Sequence, residues 1–364
     1  MISKNKWGKI IIISLFALSA AMLFSCCEKT DVVVAPPTVI IPTPVATETF
    51  PHITQPTATP NAEEEVHFSD LNLENVVRDI VGKNIGPIMR ADVENIKSLS
   101  ARVRGISNID ALQYFTALED VDLYGNRITD LTSLSNLTSL KRLNIGKNFN
   151  VLTAVDPSQT GLDITPIKGL AMLEELDVSD NMIVNIDALK SLSSLKKLVA
   201  TKNRISDISA LSNCISLKYV DVSYNYGINA DNTERGISDL TPLFGINTLE
   251  TINASWNLIE DVTGIEALEN LLSLDLSVNF ISNIKPINML KSVKTVNLSM
   301  NSLMNIDGFA NNKVIEELDV SQNMITRFYV ILTMKNLKTL NWAQNIIQDY
   351  GPIEEFEEKK NERR

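Results

Sequence analysis

The sequence predicts an α/β solenoid of about ten 22-residue repeats, bent into a horseshoe with a parallel β-sheet on its concave side and a small helical cap at its N-terminal end. Three observations predict it. Ten segments align without gaps: LEDVDLYGN, LKRLNIGKN, LEELDVSDN, LKKLVATKN, LKYVDVSYN, LETINASWN, LLSLDLSVN, VKTVNLSMN, IEELDVSQN and LKTLNWAQN. Their final asparagines, Asn126, Asn148, Asn181, Asn203, Asn225, Asn257, Asn279, Asn301, Asn323 and Asn345, recur at spacings of 22, 33, 22, 22, 32, 22, 22, 22 and 22. In every segment the residues three and five before the asparagine, such as Leu123 and Val121, are apolar.

Period-two alternation puts those two side chains on one face of a short strand, pointing inward. After each asparagine the apolar residues come about every third position, as in Ile128, Leu131, Leu134, Leu137 and Leu140. That spacing suits a 3₁₀-like or irregular convex return better than a long helix. The asparagine side chain can turn inward and bond backbone groups of the tight turn, which an aliphatic residue could not do. One repeat cannot bury its own apolar face, whereas the stack can. A period in the twenties carrying L-x-x-L-x-L-x-x-N is similar to the leucine-rich repeat.

Both ends of the stack look managed. Residues 65–104 form the expected N-terminal cap, with helical periodicity in two pieces around Gly82–Pro87 and Asp70 as a helix N-cap. A degenerate first repeat, RGISNIDALQYFTAL, follows, with Arg104 where the asparagine would stand. The repeats occupy 105–352, and Trp342 in the core column is expected to cover the last layer, helped by the charged tail 353–364. A helical cap, 22-residue repeats and convex segments such as ITDL, ISDI and ISDLTPL together resemble the internalin-type leucine-rich repeat proteins of bacterial surfaces. The resemblance covers about residues 66–352 and implies a curved protein-binding surface. The chain departs from that family in showing no immunoglobulin-like segment, wall-anchoring motif or wall-binding module after the repeats.

Residues 1–25 read as a signal peptide: the basic MISKNKWGK, then an apolar run too short for the roughly 20 residues of a membrane span. LFSC, Leu23 to Cys26, resembles the bacterial lipobox, with a bulkier residue than usual at Phe24. The resemblance implies that Cys26 becomes the first mature residue and carries a diacylglycerol that tethers the protein to the outer side of a bacterial membrane. The segment 26–64, rich in proline and threonine, reads as a stalk able to reach roughly 100 Å if it is polyproline-like. Cys214 alone remains among the repeats, so no intrachain disulfide framework is expected, and its column marks it as a small buried hydrophobe.

Charge and composition exclude some functions. With 33 basic and 44 acidic residues the net charge is −11, which argues against nucleic-acid binding and favours a basic partner or a merely soluble surface. The two histidines, His52 and His67, lie outside the repeats, and no cysteine–histidine cluster, phosphate loop or nucleophile elbow is present. No catalysis, cofactor or metal is therefore expected.

The outward columns of the strands hold the candidate contacts. Four before the asparagine, aspartate and asparagine alternate: Asp122, Asn144, Asp177, Val199, Asp221, Asn253, Asp275, Asn297, Asp319, Asn341. This reads either as a solvated stripe, with like charges kept apart, or as an attractor for a basic partner. Two before, the residues are mostly serine and read as filler. One before, at the strand's exit, repeats five to eight supply Tyr224, Trp256, Val278 and Met300 in succession, with Tyr219 adding a second aromatic in repeat five. Adjacent aromatic and apolar residues at exposed positions are what binding hot spots use. Insertions 149–161 and 226–236 both follow the asparagine directly, the second beside Tyr224 and Trp256. The expected site is thus Tyr219, Asp221, Tyr224, Trp256, Asp275, Val278 and Met300, facing a protein or peptide. The alternatives are a cell-wall or host glycan, or no ligand in a passive structural protein.

Overall fold

The computed structural model describes residues 63–148, 161–229 and 233–362, so the signal segment, Cys26, nearly all of the stalk and all but the last residue of the first insertion lie outside the described residues. Residues 62–364 belong to one compact unit. Helix α1 (Leu71–Val81) opens it, capped by Asp70, whose Oδ1 accepts the N–H groups of Asn72 at 2.9 Å and Leu73 at 3.2 Å. The other oxygen, Oδ2, accepts the Ser107 N–H at 2.7 Å, the Ser107 hydroxyl at 3.0 Å and the Asn108 N–H at 3.3 Å. One carboxylate thus both starts the helix and clamps the cap onto the first repeat. Burial pushes its pKa up, but these hydrogen bonds outweigh burial and hold it below the usual carboxylate range.

After the single turn of α2 (Arg90–Val93), strand β1 (Ser98–Ser100) pairs in parallel with β2 (Asp120–Asp122). The sheet therefore begins inside the expected cap. The Arg104 repeat lacks its asparagine, but Asn126 Oδ1 of the next turn accepts the Arg104 and Ile106 N–H groups, so one repeat completes another. The series continues through β3 (Arg142–Asn144), β4 (Glu175–Asp177), β5 (Lys197–Val199) and β6 (Tyr219–Asp221). The second insertion is a two-stranded antiparallel hairpin, β7 (Gly227–Ile228) and β8 (Glu234–Arg235). The main sheet resumes with β9 (Thr251–Asn253), β10 (Ser273–Asp275), β11 (Thr295–Asn297), β12 (Glu317–Asp319) and β13 (Thr339–Asn341), giving eleven parallel strands. β6 pairs directly with β9, so the hairpin is extruded without breaking the register.

The repeat asparagines do more than close their own turns. Asn225 Nδ2 donates to Val222 O at 2.8 Å within its repeat and to Ala200 O at 3.3 Å in the one before, while its Oδ1 accepts the Ile205 N–H at 2.9 Å. The same pattern recurs along the stack, so each side chain stitches two repeats. On the convex side the returns are mostly 3₁₀ turns, such as Asp187–Ser191 and Ser209–Asn213, with one α-helical turn, α3 (Lys285–Asn288). The Asp of the ISDL-type motifs starts these turns: Asp207 Oδ1 accepts the Ser209 N–H at 2.7 Å and Asp239 Oδ1 that of Thr241 at 2.8 Å. Cys214 is fully buried with its Sγ 3.3 Å from Leu189 O, and burial pushes the thiol up to about 11. It is packing, not a reactive group.

At the far end the charged tail is ordered as helix α4 (Gly351–Glu362), which buries Ile353 and Phe356 in the core. Trp342 is half-buried and meets the Tyr350 ring edge-on at 5.8 Å. The last layer is thus covered by the tail's two apolar side chains together with Trp342, while Glu354, Glu355, Glu358 and Lys359 are exposed.

Candidate functional site

The concave sheet has two edges and a floor, and each handles charge differently. At the leading edge, where chains enter the strands, lysine and glutamate largely alternate seven before the asparagine. Glu119 bridges Lys97 at 2.9 Å and Lys141 at 2.7 Å, and these two partners hold its carboxyl down to about 2. Lys196 pairs Glu174 at 2.9 Å, Lys218 pairs Glu250 at 2.9 Å, and Glu316 lies between Lys294 and Lys338. This edge neutralises itself.

The first outward column of the floor does so too in repeats one to four. Asp120, Arg142, Glu175 and Lys197 stand side by side in register, and Arg142 Nη2 bonds Asp120 Oδ2 at 2.7 Å. A depression of about 300 Å³ lies here, lined by these residues with Asp122, Asp177 and Val199. It is open, its four carboxylates outnumber its two cations, and neither Tyr224 nor Trp256 lines it. From repeat five onward the Asp/Asn alternation forms a ladder. Asn253 Nδ2 donates to Asp221 Oδ2 at 3.4 Å, Asn297 to Asp275 at 3.1 Å, and Asn341 to Asp319 at 2.7 Å. The other aspartate oxygen accepts both the N–H and the hydroxyl of the serine two residues on, as Ser223 does with Asp221 and Ser277 with Asp275. The serine column is therefore a partner of the ladder. Asp221 and Asp275 spend both oxygens internally, which weakens their part in attracting a basic ligand.

At the trailing edge every residue one before the asparagine is left-handed. Val103 and Lys147 through Gln344 have φ between 53° and 57° at these positions, and Gly125 has 72°. For residues other than glycine this conformation costs roughly 1–2 kcal/mol each, because Cβ crowds the following carbonyl. It swings the side chain outward at the rim. Gln322 is exposed and in this state, so Gln322→Gly is expected to stabilise the protein by about 1 kcal/mol, read as a higher denaturation midpoint at unchanged slope. A lower midpoint would show that the side chain has a partner.

In repeats five to eight this rim carries the aromatic ridge. Tyr224 and Trp256 stack with centroids 5.0 Å apart and planes 14° from parallel. The ammonium of Lys202, one strand earlier, lies 6.0 Å from the Tyr224 centroid, and Lys197 Nζ lies 5.6 Å from that of Tyr219. Tyr224 is 44% exposed, and Tyr219, Trp256 and Met300 are half-buried. Val278 corrects the expectation of four exposed neighbours. It is only 4% exposed, because a short side chain between Trp256 and Met300 is shadowed by both, so it supports the ridge from below.

Sequence reasoning missed a second apolar column, one after the asparagine, where Tyr226, Leu258 and Phe280 follow one another in repeats five to seven. The hairpin folds onto it. A Cβ at Gly236, whose φ is 155°, would lie 3.1 Å from Leu258 Cγ and 3.3 Å from Tyr226 Cα, so the close approach needs glycine. The Tyr226 N–H donates to Trp256 O at 3.1 Å, which ties the hairpin base to the ridge. Reading the column after the asparagine as the other columns were read would have found these residues.

Comparison with known proteins agrees with this architecture. A family model described as Leucine Rich repeats (2 copies) matches residues 171–213. Internalin C2 of Listeria monocytogenes is 30% identical, with a TM-score of 0.57, over 66% of this chain and 100% of that one. Internalin inlF of the same species is 24% identical over 79% of this chain and 92% of that one, with a TM-score of 0.58. The functional domain of Listeria monocytogenes InlJ, which includes a cysteine ladder, is 21% identical over 81% of this chain and 60% of that one, with a TM-score of 0.63. The last two are likenesses of fold. No curated protein matches the sequence.

Proposed function

Because the chain belongs to the internalin-like leucine-rich repeat proteins, whose fold serves as a protein-binding or adhesion module, we propose that it is a non-enzymatic binding protein for a protein or peptide. It is held through Cys26 on the outer side of a bacterial membrane, and its contact surface is the trailing rim of repeats five to eight. The observation that carries this reading is the stack itself. Trp256 covers one face of Tyr224 and Lys202 approaches from the opposite neighbouring strand, so the Tyr224 ring offers its edge to solvent. A sugar packs on an open ring face, whereas a protein partner fits side chains against an edge-on ridge flanked by Met300, with Tyr219 in the floor column of the same repeat as Tyr224. This favours the peptide reading over the glycan one.

Binding to peptide and glycan arrays in parallel separates the two classes. Signal on peptides alone is expected, and signal on glycans alone would replace the reading with the glycan one. The tether is tested by Cys26→Ala, which is expected to move the protein from the membrane to the soluble fraction of its bacterial host. Unchanged membrane fractionation and processing would remove Cys26 from the account.

A further inference from the structure

Beside the ridge, at the hairpin base, lies a pair of positive charges with no ion pair among the described residues. Arg235 of β8 lies flat over Gly227 of β7: a Cβ at Gly227 would sit 2.3 Å from Arg235 Nη2 and 2.6 Å from Cζ, so any larger residue there would push the guanidinium aside. Its Nη1 reaches the carbonyl oxygens of Asn203 at 3.4 Å and Asn225 at 3.2 Å. The head group is therefore pinned against the backbone of two successive repeats. Asn203 O belongs to the peptide link into Arg204, which occupies the column after the asparagine one repeat before Tyr226.

The side chain of Arg204 is half-buried and has no hydrogen bond or ion pair among the described residues. Burial lowers its pKa, and burial together with the charge of Arg204 lowers that of Arg235. Two partly desolvated guanidiniums acting on each other are unfavourable by themselves. Across the sheet the same chain pairs lysine with glutamate in turn after turn, so carboxylates were available to this architecture. No such pair involves Arg204 or Arg235 among the described residues. Arg235 keeps Nε and Nη2 free of protein acceptors among the described residues, and a guanidinium fork fits a carboxylate with two parallel bonds.

We propose that Arg204 and Arg235 form a binding site for an oxyanion, the carboxylate of an acidic side chain on the partner. This deepens the reading above and rests on it for the word partner. The partner then presents an apolar residue to Tyr224 and Trp256 with an acidic residue next to it, rather than the basic surface that the net charge of −11 alone would favour.

The test is thermal unfolding of the full chain in mild detergent, in chloride buffer and with three added probes at equal ionic strength. The probes are the peptide acetyl-Glu-Glu-amide, its Gln-Gln counterpart and inorganic phosphate. The acidic peptide at tens of millimolar is expected to raise the wild-type Tm by about 2 °C over its Gln-Gln counterpart. In Arg204→Gln that rise is lost, while the Tm in chloride alone goes up by about 1–2 °C because the repulsion is gone. Arg204→Gln leaves the hairpin's own backbone bonds in place, so the result does not hinge on Arg235→Gln folding.

A rise that persists in Arg204→Gln, no rise at all, or a rise with phosphate but not with the acidic peptide would each overturn the assignment. So would a lower Tm for Arg204→Gln in chloride, since the guanidinium would then already have an internal partner. Trp256→Ala is expected to keep the acidic-peptide effect. If the ridge proves irrelevant to binding while that effect stands, the functional reading fails and the oxyanion site survives.

Discussion

Asn257→Leu is expected to destabilise the protein by about 2–4 kcal/mol. Asn257 is fully buried. Its Nδ2 donates to Val222 O at 3.0 Å, Ala254 O at 3.1 Å and Ser255 O at 3.2 Å, and its Oδ1 accepts the Ile237 N–H at 3.1 Å. The three carbonyls each keep another donor, because Asn225 shares Val222 O, Asn279 shares Ala254 O and the Tyr224 N–H bonds Ser255 O. The Ile237 N–H has no such substitute and is left buried and unpaired. The cost is therefore that of one orphaned donor plus three weakened acceptors. Ile237 follows the hairpin, so amide exchange should accelerate first at the hairpin base and in repeats five and six. A ΔΔG below about 0.5 kcal/mol would mean that the asparagine ladder is decoration and that apolar stacking alone holds the repeats.

Trp256→Ala is expected to weaken binding to a peptide or protein ligand by about 30-fold to 1,000-fold, the range for loss of a central aromatic anchor. Trp256 stacks on Tyr224, its backbone carbonyl holds the hairpin through Tyr226, and it shades Val278. Removing it takes away contact area and also frees the Tyr224 ring to move. Tyr224→Ala, which leaves the indole in place, should cost less, by about 5-fold to 50-fold. Equal losses from both would show that the two rings act as one unit. Near-native circular dichroism and Tm for both variants keep the comparison about binding, and neither residue is fully buried.

Much of this fold was legible because a repeat multiplies weak signals. One L-x-x-L-x-L-x-x-N is weak; ten asparagines at fixed spacing are not. The inward columns, the Asp70 cap and the 3₁₀ convex turns all followed from periodicity and turn chemistry. What escaped was whatever depends on a neighbour in space. The lysine–glutamate alternation at the leading edge needed the columns to be read seven before the asparagine. The pairing of Asp221 with Asn253 and Ser223 needed cross-strand distances, and so the acidic stripe read as a solvated stripe or an attractor for a basic partner, not as a ladder. Val278 was placed among exposed residues because its column predicts direction, not shading by longer neighbours. β1 was hidden because Arg104 stands where its repeat's asparagine should be, and Asn126 supplies the missing bonds.

The claim that the partner docks on the rim of repeats five to eight, not on the charged floor of repeats one to four, is tested by affinity measurements on matched variants. The peptide that binds the wild-type chain most tightly on the arrays is titrated against Trp256→Ala and against Glu175→Gln, which alters the charged floor between Arg142 and Lys197. The account predicts a loss of at least about 30-fold for Trp256→Ala and a change under about 2-fold for Glu175→Gln. Intact binding to Trp256→Ala, with loss on Glu175→Gln, would contradict it and move the site to the floor.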